Sequence, residues 1–153
     1  FLLSRMTAFI EQQAGLSSSF DKYYHNKNGK PYEIEHIWAD KFLEHRDEFE
    51  QEPDFQEFRN RLGALVLLPR GTNQSFNAKP YKEKLKHYIR ENLLAQSLCE
   101  SAYNNNPNFL NMKSSLDLPF KPHAEFTSKD IITRQELYQA ICKQIWSLDA
   151  FKV

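Results

Sequence analysis

Leu2, Leu3, Met6, Phe9 and Ile10 recur at helical spacing, and Gly15 followed by Ser17, Ser18 and Ser19 breaks the pattern, so a first helix is predicted over about residues 2–14. Tyr23 to Pro31, with Asn26, Asn28 and Gly29, carries turn chemistry. From Tyr32 to Ile37 apolar and polar residues alternate with the period of a strand, which puts Glu35 and His36 at its end. Residues 40–60 scatter Phe42, Phe49, Phe55 and Phe58 among charges around Pro53. They predict a polar helix and then a second one, capped by Asp54 and ended by Gly63.

Ala64 to Leu68 is a continuous apolar run between Gly63 and Pro69, consistent with a buried second strand. Gly71 and Thr72 read as a turn, Thr72 caps a short helix through Asn77, and Pro80 opens a longer helix with the stripe Tyr81, Leu85, Tyr88, Ile89 and Leu93. Asn104 to Pro107 marks a loop, and residues 115–126 read as extended and irregular. A last helix begins at Thr127, where Asp130 completes a capping-box variant, and shows the face Ile131, Leu137, Tyr138, Ile141, Ile145 and Leu148. No internal repeat or low-complexity tract is present.

Composition supports one folded unit. At 153 residues, with 41% hydrophobic residues and 12 Phe, the chain has enough apolar surface for a ring-rich core in a single domain. No apolar run approaches the roughly 18 residues of a membrane span and no secretory signal is visible, so the chain reads as soluble and cytoplasmic. Cys99 and Cys142 are too isolated for a zinc knuckle or a disulfide framework and read as buried thiols of a reducing compartment. The opening on Phe1, directly in an apolar pattern, leads us to expect a fragment of a longer protein.

Zero net charge argues against a strongly basic nucleic-acid binder, but the charges are unevenly placed. Residues 33–57 hold ten Asp/Glu against two Lys/Arg, whereas residues 59–90 hold eight Lys/Arg against Glu83 alone. Either these are two solvated faces, or an acidic metal neighbourhood adjoins a basic track for phosphates. Adjacent Glu35 and His36 end one strand, and Asn73, thirty-seven residues beyond His36, stands four before Asn77, so that both asparagines point the same way on a helix. Each is weak alone, since a lone His is usually structural and an Asn in a turn is usually a turn residue.

The segment YEIEHIWADKF and the later RNRLGALVLLPRGTNQSFNAKPYKEKLKHY together resemble the C-terminal nuclease domain of GmrSD-type, modification-dependent (type IV) restriction enzymes, of the HNH or His-Me finger class. The shared pattern is Glu35-His36-Ile37, then Arg61-Leu62-Gly63, then Asn73 and Asn77, then Pro80-Tyr81 with Lys84. The likeness is close over residues 32–95; the opening helix and TRQELYQAICKQIW resemble the family less specifically. One position departs from the pattern: an Asn usual at the start of the second strand is Ala64 here. This puts in question the rigidity of the loop presenting His36, and with it full activity; Asn60 or a backbone carbonyl is the candidate substitute.

The resemblance implies an α+β fold, a mainly helical single domain over residues 1–153 enclosing a ββα-metal core at about 32–95, with helical flanks at 1–20 and 96–153. It implies a metal-dependent DNA endonuclease of a prokaryotic restriction or phage-defence system, preceded in the whole protein by a nucleotide-hydrolysing N-terminal domain, acting on DNA that can carry modified bases. His36 would be the general base, being largely neutral at pH 7 when unperturbed. Glu35, Asn73 and Asn77 would hold one Mg²⁺ or Mn²⁺, ions suited to a hard-oxygen set. Arg70, Lys79 and Lys84 would contact DNA phosphates, with Lys82, Lys86 and Arg90 either joining them or forming an ordinary solvated face. His25, His45, His87 and His123 read as structural or exposed. The alternatives are a catalytically weak or inactive DNA- or protein-binding module that keeps the nuclease shape, and an RNase or toxin-type nuclease using the same chemistry.

Overall fold

The chain passes through α1 (Leu2–Gln13), α2 (Phe20–Tyr24), β1 (Tyr32–His36), α3 (Glu52–Arg59), β2 (Leu65–Pro69), α4 (Arg70–Phe76), α5 (Tyr81–Tyr88), α6 (Leu93–Gln96), α7 (Pro107–Ser115) and α8 (Ser128–Ile145). Short 3-10 turns lie at Phe42–His45, Leu62–Ala64 and Glu100–Tyr103. The structure is a computed structural model that describes residues 1–26 and 29–147. It is a helical α+β arrangement around one antiparallel pair of strands, with Tyr32 opposite Pro69 and His36 opposite Leu65. No described helix is long and apolar enough to cross a membrane.

Strand alternation sorts the pair into two faces. Ile34 and Leu67 face α1, where Leu67 joins Leu3, Met6, Ile10, Phe109 and Leu137 in one buried cluster. Val66 and Leu68 point the other way into a second cluster with Ile37, Trp38, Phe55, Tyr88 and Ile131. The two strands are therefore the partition between two cores. Many of the phenylalanines serve the second: Trp38 stacks on Phe55 at 5.7 Å, meets Phe49 edge-on, and donates Nε1–H to the Phe126 carbonyl at 2.7 Å. These contacts pin the long connection between β1 and β2 to the body of the domain.

α8 locks the start of β2. Its capping box is formed by Thr127 and Asp130. Gly63 N donates to Gln135 Oε1 at 2.7 Å, and Tyr138 donates its hydroxyl to the Leu65 carbonyl. A Cβ at Gly63 would meet Ile131 O at 2.3 Å and Gln135 N at 2.7 Å, so only glycine allows this approach. Arg134, 1% exposed, donates to Leu94 O and to the hydroxyls of Ser97 and Tyr138 beneath the same helix.

Several expectations are corrected. The first of the two helices predicted over 40–60 is only a 3-10 turn, because Glu44, Glu48 and Glu52 would repel at i, i+4 spacing in a continuous helix. Asp54 lies in the first turn of α3 rather than at its cap, and α3 ends at Asn60, not Gly63. Gly71 and Thr72 are inside α4, which begins straight after Pro69. α5 stops at Tyr88, and Leu93 belongs to α6, capped by the Asn92 side chain. Tyr23 falls in α2, capped by Ser19, and α7 was not expected at all although Asn106 caps it and Pro107 opens it. Leu148 lies outside the described residues.

Candidate functional site

β1 ends on His36, and the adjacent Ile37 donates its amide to the Ala64 carbonyl at 2.9 Å, so the chain leaving the strand is still held by the start of its partner. The imidazole Nε2 lies 2.9 Å from Asn60 Oδ1. Asn60 is the C-cap residue of α3, and its Nδ2 donates to the Gln56 carbonyl at 2.8 Å. A carbonyl can only accept, so the amide group is oriented with its oxygen toward His36. Nε2 must then carry the proton of the neutral ring, which leaves the Nδ1 lone pair as the acceptor. Burial lowers the pKa of His36 most, the Asn60 hydrogen bond opposes this, and the Arg59 charge lowers it further. The ring is neutral at neutral pH.

Both candidate substitutes for the missing asparagine are therefore in contact: Asn60 holds the ring, and the Ala64 carbonyl holds the residue after it. Ala64 itself is 0% exposed inside the second cluster, where an amide side chain would need polar partners.

Glu35 points to the opposite face and is 1% exposed. Its Oε1 accepts from Lys84 Nζ at 2.6 Å and from the Tyr88 hydroxyl at 2.9 Å. Lys84 Nζ also donates to the His36 carbonyl at 2.7 Å. Burial lowers the Lys84 pKa, and the Glu35 charge opposes that. Oε2 of Glu35 is buried with no partner. The expected role of Lys84 as a DNA contact is corrected here: with 0% exposure it has no surface to offer a phosphate.

α4 runs beside β1 with contacts that ascend together. Arg70 N donates to Pro31 O and its Nε to Glu33 Oε1 at 2.6 Å; Asn73 Nδ2 reaches Glu33 Oε2 at 3.3 Å and Ile34 O at 3.4 Å. One turn on, Asn77 lines a cleft of about 170 Å³ with Asp40, Lys41, Arg59 and Ala78. Asn73 thus lies against the strand that carries Glu35 and Asn77 lines the cleft, and neither hydrogen-bonds Glu35 in the described structure. Among the described residues no group of three or more His, Cys, Asp and Glu could hold a metal. Lys79 is on the surface, paired with Glu83 at 3.8 Å.

The other histidines have structural neighbours: His25 meets Asp21, His45 packs on Trp38, His87 stacks on Phe76, and His123 bonds Asp130. Cys99 is a buried thiol pushed up to about 11 by burial, so it is no nucleophile; Cys142 is only half-buried. Sequence reasoning missed Arg59 and Tyr88. Tyr88 was counted as apolar stripe, and only its hydroxyl's contact with a carboxylate marks it out. Arg59 has no motif signal beyond its place one residue before Asn60.

No curated protein and no solved structure matches the chain. A family model describing the C-terminal domain of GmrSD restriction endonucleases matches residues 5–141, a span that contains β1, β2, α4 and α5 and all the site residues described above. The chain therefore belongs to the GmrSD restriction endonuclease C-terminal domain family, a group of nuclease domains related to restriction enzymes.

Proposed function

We propose that this domain hydrolyses phosphodiester bonds of DNA with His36 as general base and one divalent cation, as an HNH-type nuclease. The observation that carries the reading is the Asn60–His36 hydrogen bond, which fixes one tautomer and leaves Nδ1 as the ring's acceptor. In that tautomer Nδ1 takes a proton from water as the water oxygen attacks phosphorus and the bond to the 3′ oxygen breaks. The lowered pKa keeps the base unprotonated at neutral pH.

The donor set fits a hard cation. Glu35 Oε2 is an orphaned, buried carboxylate oxygen, which is costly unless a positive partner completes it. Asn73 uses only its Nδ2 in the hydrogen bonds described, and Asn77 lines the cleft. Glu35, Asn73 and Asn77 would hold Mg²⁺ or Mn²⁺. When bound, the ion supplies charge that stabilises the phosphoryl oxygens and the departing 3′ oxygen. Arg70 and Lys79, on the surface of the same segment, would position the DNA backbone.

Plasmid nicking by the protein with Mg²⁺ or Mn²⁺ tests this directly. His36→Ala should lower the rate roughly 10²- to 10⁴-fold while the protein stays folded at the assay temperature. Parental nicking by the variant would remove His36 from the chemistry.

A further inference from the structure

The cleft lined by Asp40, Lys41 and Asn77 holds a cation that nothing yet described uses, Arg59, which is next in sequence to the partner of His36. Arg59 makes no ion pair among the described residues; its Nε donates to the Trp38 carbonyl at 3.2 Å, which leaves both terminal amino groups of the guanidinium uncommitted. The charge lines the cleft with Lys41 and Asn77. Lys41 is tethered to Glu44 at 3.2 Å, and the one acid on the rim, Asp40, accepts from Gln56 Nε2 at 2.6 Å. Glu44 offsets the charge of Lys41, so Arg59 is the cation of this lining with no carboxylate partner among the described residues, although residues 33–57 just before it in the chain hold ten Asp/Glu. An arginine kept unpaired amid so many carboxylates is held for a ligand of its own.

The backbone explains how it is held. Trp38 is buried in the second cluster, so its carbonyl is a rigid anchor for Nε, and Arg59 is next in sequence to the residue that orients His36. Anchor, cation and base are therefore fixed in one frame. Arg59 is also near enough to His36 and to Lys84 that its charge lowers the pKa of both.

We propose that Arg59, supported by Lys41, is the phosphate-binding residue of the site and grips a backbone phosphodiester of the nucleic-acid substrate next to His36. A guanidinium fork suits this, because two parallel N–H groups match two phosphate oxygens. The role rests on the nuclease reading for its catalytic meaning, but the phosphate contact stands or falls by binding alone.

Binding of a 16-base-pair DNA duplex, measured by fluorescence anisotropy in Ca²⁺ across a series of salt concentrations, reads the contact in the intact chain. Arg59→Ala should weaken affinity roughly tenfold to a hundredfold, and the slope of log affinity against log salt should fall by about one. Arg59→Lys should restore the slope but not the full affinity, and Lys113→Ala, on α7, should change neither. An Arg59→Ala protein that melts like the parent and keeps its slope overturns the proposal. His36→Ala, measured alongside, should bind as the parent does and fail to cleave. If the parent cleaves nothing while Arg59→Ala still loses slope, the phosphate site holds and the nuclease reading falls.

Discussion

Asn60 accepts from His36 across 2.9 Å while donating to Gln56, so a residue at the end of α3 decides which imidazole nitrogen is free. Asn60→Ala should then lower the cleavage rate roughly tenfold to a hundredfold, because an unheld ring loses both tautomer and orientation, while stability changes by only about 0.5–1.5 kcal/mol. Asn60→Asp should keep the ring in place but stabilise its protonated form, moving the acidic limb of the pH–rate profile upward. A profile and rate equal to the parent's in both variants would show that Asn60 does not position the base.

Glu35 and Lys84 form an ion pair with almost no exposure, and such a pair is hard to break and easy to replace. Lys84→Met, which leaves Glu35 without its cation and with only the Tyr88 hydroxyl, should cost about 3–5 kcal/mol in denaturant unfolding. Adding Glu35→Gln to that variant should recover most of the loss. If the two single changes simply add, the pair contributes nothing as a pair.

Gly63→Ala should destabilise the domain by roughly 2–5 kcal/mol, since the new methyl would press on the backbone of α8 at Ile131 and Gln135. Circular dichroism at rising urea measures this. A midpoint unchanged from the parent would mean that α8 can retreat without penalty.

Burial is the largest cause lowering the pKa of His36, His45 and His123. Each ring binds a proton less readily in the native chain than when unfolded, where its pKa is about 6.5. The stability these neutral rings contribute is full above that value and is lost as pH falls through it toward the lower native values. Calorimetry should show a lower melting temperature at pH 5.5 than at 7.5. His45→Phe, keeping a ring on Trp38 and Phe55, should reduce the difference. A melting temperature that rises on acidification would contradict this account.

Period and punctuation made much of this fold legible. Met6 and Ile10 mark α1, the Glu33–Ile34–Glu35 alternation marks β1, and Thr127 with Asp130 marks the start of α8; the structure places all three as read. These signals are local, and local rules decide them. The first part of the connection over residues 40–60 was misread because Phe42, Phe49 and Phe55 are spaced for no single element; Phe49 and Phe55 converge on Trp38, and Phe42 packs on Phe55.

The site divided in the same way. Adjacent Glu35 and His36 could be picked out by residue type, but strand alternation sends them to opposite faces, and a distant lysine takes up Glu35. Lys84 was expected at DNA because it matches the pattern of the resembling family, and only the packing of α5 shows that it points inward. Asn60 was a candidate for holding His36, yet the partner that orients it, the Gln56 carbonyl, carries no sequence signal.

β1, which carries His36 and Glu35, and its partner β2 are walled by a core on each side, Leu67 contributing to one and Val66 and Leu68 to the other. They form a septum, and a septum cannot loosen while both chambers stay intact. Amide protons of Val66 and Leu67 should therefore exchange with solvent only when the whole domain opens. Damage far away, at Phe109 in one chamber or Phe55 in the other, would reach this site as a smaller fraction of folded molecules, each still built as before.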